Sequence, residues 1–109
     1  MTRDDRSADE VALELAVIRE RIDELDRQIV ALLNERAELG RAAGRAKATA
    51  GRRTVRDAAR EREVLLRVAM ANAGPLGSAD LLSIYRRIVA ATRGLEARDR
   101  IHDGRTGER

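Results

Sequence analysis

Between residues 7 and 48, Leu15, Ile18, Ile22, Leu25, Ile29, Leu32, Leu39, Ala43 and Ala46 follow one another by threes and fours, with Arg36 in the place between Leu32 and Leu39. That is the seam of one amphipathic helix with a near-heptad period. About forty residues at 1.5 Å each give roughly 60 Å of helix, whereas a compact domain of about 100 residues has a radius of gyration near 13 Å. A helix of that length overhangs a single chain, so the spacing predicts that a second chain covers its seam. A homodimer is the simplest source.

Arg36 puts a guanidinium on the surface that its neighbours bury, and a buried charge is costly unless an anion meets it. Lys47 lies eleven residues further on. At about 100° per residue the two side chains are only about 20° apart around the helix. They share one face. Two readings satisfy this spacing: an internal ion pair with a glutamate of another helix, or an anion-binding site.

The chain has 109 residues, enough for one small domain. Its hydrophobic residues are nearly all Ala, Leu, Val and Ile, with Tyr85 the single aromatic and Pro75 the single proline. Such a composition predicts an all-α fold with long helices, and the chain order below divides it into three helices per chain with a very long first one. No cysteine is present, which removes disulfides and thiolate chemistry and makes the cytoplasm the expected compartment. The charged amino terminus does not resemble a signal peptide and no apolar run reaches membrane-spanning length, so a soluble protein without membrane contact is expected. The net charge is +3, from 22 basic and 19 acidic side chains. Residues 40–56 carry Arg41, Arg45, Lys47, Arg52, Arg53 and Arg56 with no acidic residue. Such a run can track phosphates. The missing aromatic platforms and the absence of a helix-turn-helix or zinc-finger spacing argue against nucleic acid as the partner.

In chain order, Ser7-Ala-Asp-Glu10 has capping-box spacing and opens the first helix, which should end near residues 49–51. Thr54-Val-Arg-Asp57 repeats the pattern and should open the second, whose inward face is Val64, Leu65, Val68 and Ala69. Asn72-Ala-Gly-Pro-Leu-Gly77 stops it. Ser78 is the expected N-cap of the third helix, with Leu81, Tyr85, Ile88, Val89, Thr92 and Leu95 as its buried stripe to about Arg98. The expected organisation is a flexible N-terminus over 1–6, a helical domain over 7–99 and a flexible tail over 100–109.

The only histidine, His102, falls in that tail, so neither a Ser–His pair nor a histidine metal site is expected in the folded part. Gly40, Gly44 and Gly51 do not match a phosphate loop. No cofactor and no metal are expected. What remains is a set of inward polar residues at helical spacing: Asp57, Arg60 and Glu61 within one turn of helix 2, and Thr92 and Glu96 one turn apart on helix 3. Each also has a structural reading. Asp57 suits a cap, Arg60 and Glu61 a solvated face, Thr92 a core hydroxyl, and Glu96 a surface pair with Arg93 or Arg100.

The series Ile18-Arg-Glu-Arg-Ile-Asp-Glu-Leu-Asp26, Leu32-Leu-Asn-Glu-Arg36, Gly44-Arg-Ala-Lys47 and Val55-Arg-Asp-Ala-Ala-Arg-Glu-Arg62 closely resembles the AroQ-type, all-helical chorismate mutases, from about Leu15 to Glu96. The resemblance implies an intertwined homodimer with two equivalent sites, each holding residues of both chains. By motif position it implies that Arg19 reaches across to one carboxylate of chorismate while Arg36 holds the other. Lys47 would donate to the ether oxygen and a carboxylate, Asp57 and Glu61 would handle the ring hydroxyl, and Arg60 would add positive charge. Thr92 stands where the bacterial pattern often has serine. Glu96 stands where glutamine is frequent, facing the ether oxygen with Lys47. The loop between Lys47 and Asp57 is one residue longer than the enterobacterial pattern.

The residues support this chemistry on their own account. Arg19 and Arg36 are seventeen residues apart, about 25 Å along one helix, so they cannot grip one small dianion from the same chain. The rearrangement of chorismate to prephenate, a step of aromatic amino-acid biosynthesis, needs no nucleophile or proton relay. Arginines hold the compact reactive form, and cationic donors stabilise charge growing on the ether oxygen. Three alternatives share the scaffold or the charge pattern: an isochorismate pyruvate lyase or aminodeoxychorismate mutase, a non-catalytic dimerisation or regulatory module partnered with another shikimate-pathway enzyme, and a basic nucleic-acid-binding dimer. Retention of every basic position weighs against the non-catalytic module.

Overall fold

In the computed structural model, which describes residues 6–51 and 57–107, the Glu10 amide donates to Ser7 Oγ at 3.2 Å and the Val11 amide to the Ser7 carbonyl at 3.1 Å. Ser7 thus opens α1, Ala8–Thr49, as the capping pattern predicts. The helix closes through Gly51, whose amide donates to the Ala48 carbonyl at 3.0 Å. Gly51 has φ of +80°, a left-handed conformation that a side chain would strain. The other elements are α2, Ala58–Ala71, and α3, Ser78–Gly107. The fold class is all-α, as expected.

Three boundaries differ from expectation. Thr54 lies outside the described residues, and α2 starts at Asp57, whose Oδ1 accepts the Arg60 amide at 3.1 Å. Aspartate caps at least as well as threonine and adds a favourable charge at the positive end of the helix dipole. At α3 the first backbone bond runs from the Leu81 amide to the Gly77 carbonyl, so Ser78 is already helical and its Oγ accepts from Asn72 Nδ2 at 3.2 Å. Asn72 organises the whole turn: its Nδ2 also donates to the Leu76 carbonyl at 2.9 Å, and its Oδ1 accepts the Gly74 amide at 2.9 Å. Finally, α3 runs past Arg98 to Gly107. Glycine weakens a helix by only about 1 kcal/mol, and no proline intervenes to stop it. The expectations for residues 1–5 and 108–109, and the part of the basic run formed by Arg52, Arg53 and Arg56, lie outside the described residues.

The chain divides into two compact units, Met1–Asn34 and Glu35–Arg109. In the first, the seam is open to solvent, with Leu25 55% and Leu32 62% exposed. In the second, Val64, Leu65, Val68 and Ala69 of α2 and Leu81, Tyr85, Ile88, Val89, Thr92 and Leu95 of α3 are half-buried, as their spacing predicts. Among the described residues no apolar side chain is fully buried, and the one buried residue is Glu96, 9% exposed.

Glu96 is enclosed because α1 and α3 approach over two glycines. A Cβ on Gly44 would stand 3.3 Å from Glu96 Cγ, and one on Gly40 would fall well inside van der Waals contact with Thr92 Cγ2. Gly40→Ala is therefore expected to destabilise the protein by about 1–3 kcal/mol despite alanine's better helix propensity. The midpoint of urea unfolding checks this, and an unchanged or raised midpoint would mean that α3 yields freely at Thr92.

Candidate active site

The C-terminal unit encloses a cavity of about 360 Å³, within the size range of small-molecule sites. Arg36, Leu39, Gly40, Ala43 and Lys47 of α1 form one wall, Asp57, Arg60, Glu61 and Val64 of α2 another, and Val89, Thr92, Arg93 and Glu96 of α3 the third. The helical period explains the gathering. Arg36, Gly40, Ala43 and Lys47 step by fours and threes along α1, and Val89, Thr92, Arg93 and Glu96 occupy i, i+3, i+4 and i+7 of α3. Seven of the eight residues expected at a site, namely Arg36, Lys47, Asp57, Arg60, Glu61, Thr92 and Glu96, line this one cavity. Arg19 does not. It is exposed on the N-terminal unit.

The charges are unevenly committed. Asp57 accepts the Arg60 amide as the cap of α2. Arg60 is exposed and pairs with Glu63 at 3.3 Å. Glu61 Oε1 accepts from Arg93 Nη1 at 2.5 Å, which joins α2 to α3. Thr92 Oγ1 donates to the Ile88 carbonyl at 3.2 Å. Arg36 and Lys47 are half-buried and make no side-chain hydrogen bond or ion pair among the described residues. The internal ion pair that would have accounted for Arg36 is not formed with any described glutamate. Two cations at this wall that make no hydrogen bond or close ion pair with a described side chain leave donors free to meet an anionic group of a ligand.

Glu96 is the counterpoint. Burial pushes its carboxyl up from the ordinary glutamate range; Lys47 opposes that shift, while Asp99 and Glu61 add to it. The surface pairing of Glu96 with Arg93 or Arg100 is not what forms: Arg93 is taken by Glu61 and Glu96 turns inward. Arg93 itself was not singled out from sequence, although its i, i+3, i+4, i+7 relation to Val89, Thr92 and Glu96 is legible there. Part of the basic run is also engaged internally, since Arg41 pairs with Asp99 and Glu38. Among the described residues no helix is long and apolar enough to cross a membrane.

Fold and cavity together define an all-helical protein with a charged cavity of small-molecule size. Comparison with known proteins sharpens that class. Residues 18–97 match the family described as chorismate mutase type II. A bifunctional chorismate mutase/prephenate dehydratase of Aquifex aeolicus is 34% identical over 92 residues, covering 81% of this chain and 25% of that protein. The chain thus spans about a quarter of that relative's length. The structure of a chorismate mutase (form II) from Thermus thermophilus superposes with a TM-score of 0.74 at 29% identity, covering 78% of this chain and 96% of that one. The chain belongs to the type II chorismate mutase family.

Proposed function

We propose that the chain is an isomerase that converts chorismate to prephenate for aromatic amino-acid synthesis in the cytoplasm. The observation that carries this reading is the pair of half-buried cations, Arg36 and Lys47, which line a cavity of the right size and make no hydrogen bond or close ion pair among the described residues. Chorismate presents two carboxylates and an ether oxygen that gains negative charge as its C–O bond breaks. Arg36 holds one carboxylate, and Lys47 donates to the ether oxygen and a carboxylate. Glu96, as the neutral acid, donates to the same oxygen. Glu61, steadied by Arg93, and Asp57 meet the ring hydroxyl, Arg60 adds positive charge at the α2 side, and Thr92 closes the α3 wall. Preset donors in an aliphatic cavity need little reorganisation as charge moves, which favours the transition state over the ground state.

The second carboxylate falls to Arg19 of a second copy. The open seam of α1 and the lack of any fully buried apolar side chain among the described residues of one chain support pairing of two copies through that helix. Each site then draws on both chains.

Incubation of the purified protein with chorismate tests the reading. Loss of the ultraviolet absorbance of chorismate with one equivalent of prephenate formed is the expected result. Release of pyruvate without prephenate would make the protein a lyase, and no turnover would leave it a binding or regulatory module.

A further inference from the structure

Arg41 lies outside the cavity, yet it grips the helix that forms the α3 wall. Its Nε donates to Asp99 Oδ2 at 2.8 Å and its Nη2 to Asp99 Oδ1 at 3.0 Å, a two-pronged contact, while Nη1 donates to Glu38 Oε1 at 3.0 Å on its own helix. A fork of this kind fixes orientation as well as charge, which the point charge of a lysine does not. Asp99 follows Glu96 by three residues, so the two carboxyls stand on adjacent turns of one face of α3. That face is the one that crosses Gly44 of α1 beside Glu96. The fork therefore ties α1 to α3 within one turn of the crossing.

We propose that Arg41 is a positioning residue for the cavity: its fork on Asp99 holds the turn of α3 that carries Glu96 against α1, and offsets part of the negative charge standing one turn from the Glu96 carboxyl. The proposal rests on the mutase reading only for what Glu96 then does to substrate. Glu96 is faced by Arg36 and Lys47 of α1 and by Asp57, Arg60 and Glu61 of α2. Along α3 itself, Arg93 and Asp99 flank it by one turn on either side. Lys47 favours the ionised form of Glu96, whereas Asp99 and Glu61 disfavour it. Asp99 is kept ionised by its bond to Arg41. Substitution at 41 or 99 leaves every other facing charge in place, so a change in Glu96 titration reports on this pair.

The two halves of the pair act with opposite signs. Without Arg41, only the weaker influence of Arg45 and Arg98 still offsets the Asp99 charge, and Glu96 holds its proton to higher pH. Without the Asp99 charge, the Arg41 cation remains and Glu96 ionises at lower pH. A pair that served packing alone would not produce opposed shifts.

The test uses the full chain with Arg41→Met, Asp99→Asn and Arg41→Lys. The Glu96 carboxyl is followed by carbon NMR against pH, its resonance assigned by its loss in Glu96→Gln, and kcat/KM is measured over the same range. The Arg41→Met midpoint should rise by about half a pH unit or more and the Asp99→Asn midpoint should fall by a similar amount. Arg41→Lys should stay near the parent midpoint while kcat/KM falls severalfold, because the charge is kept and the fork is lost. Midpoints that do not move, or that move in the same direction in both charge variants, overturn the proposal. Should Arg41→Met fail to fold, a downward shift in Asp99→Asn with none in Arg41→Lys supports the pair's role, and any other combination overturns it. The NMR midpoint needs no substrate, so opposed shifts in a protein that leaves chorismate unchanged would refute the mutase reading and keep the role of the pair.

Discussion

Arg19→Ala and Lys47→Ala proteins, each nearly inactive alone, are expected to regain activity when unfolded together and refolded as a mixture. If each site takes Arg19 from one chain and Lys47 from the other, either substitution damages both sites of its own homodimer. Removal of one charged donor from a preorganised site typically costs roughly 10²–10³ in rate. A heterodimer places both lesions in one site and leaves the other intact. Random pairing makes half of the dimers heterodimers, so about a quarter of all sites should work. Arg19 is exposed on the N-terminal unit and is not among the residues that line the cavity, so complementation is the direct test of its assignment. Rates for the mixture, set beside native mass spectrometry to count heterodimers, give the answer. Heterodimers as inactive as both parents would mean that Arg19 does not reach a site containing the Lys47 of another chain.

The sequence carried the length of α1 and the inward faces of α2 and α3 because these follow from helical period, whereas the seven residues that line the cavity were brought together by motif order, with period alone marking Arg36 and Lys47 as sharing a face. A side chain at i, i+3, i+4 or i+7 shares a face whatever the helix packs against. Arg36 was legible for a further reason: a guanidinium amid leucine and isoleucine predicts an anion wherever the helix lies. The commitments between helices were not legible. Whether Glu61 turns to Arg93 depends on the azimuth of α2 against α3, and the Arg41–Asp99 fork joins residues 58 positions apart. Gly40 and Gly44 look like weak points in a helix until α3 is placed over them, when they become the reason Glu96 can be enclosed. Ser7 was legible as the cap of α1, but the other two starts were not, because several residues near each can perform the same bond: Asp57 serves α2, and Ser78, bonded to Asn72, leaves the first carbonyl of α3 to Gly77.

Glu96→Gln should remove a decline in activity that the parent shows as pH rises. Burial holds the Glu96 carboxyl above the ordinary glutamate range, so in the parent it is the neutral acid at low pH and a carboxylate at high pH. On the proposed role only the acid would donate to the ether oxygen, and the carboxylate would repel the charge that grows there. The parent kcat/KM should therefore fall once pH passes the raised pKa, by about tenfold for each further unit. Glutamine donates at every pH, so the variant should lose that limb and outperform the parent on the alkaline side. A bound dianion also disfavours a second carboxylate, which places the decline in kcat at higher pH than that in kcat/KM. Stability follows the same sign. With its folded pKa raised, Glu96 contributes fully below the unfolded glutamate pKa, and that contribution is lost as pH rises through the folded value. The thermal midpoint of Glu96→Gln should accordingly gain on the parent with increasing pH, with no substrate present. If the midpoints diverge in this way while the activity profiles stay parallel, Glu96 is buried as described but does not act on the ether oxygen. If neither changes, its ionisation lies outside both folding and catalysis.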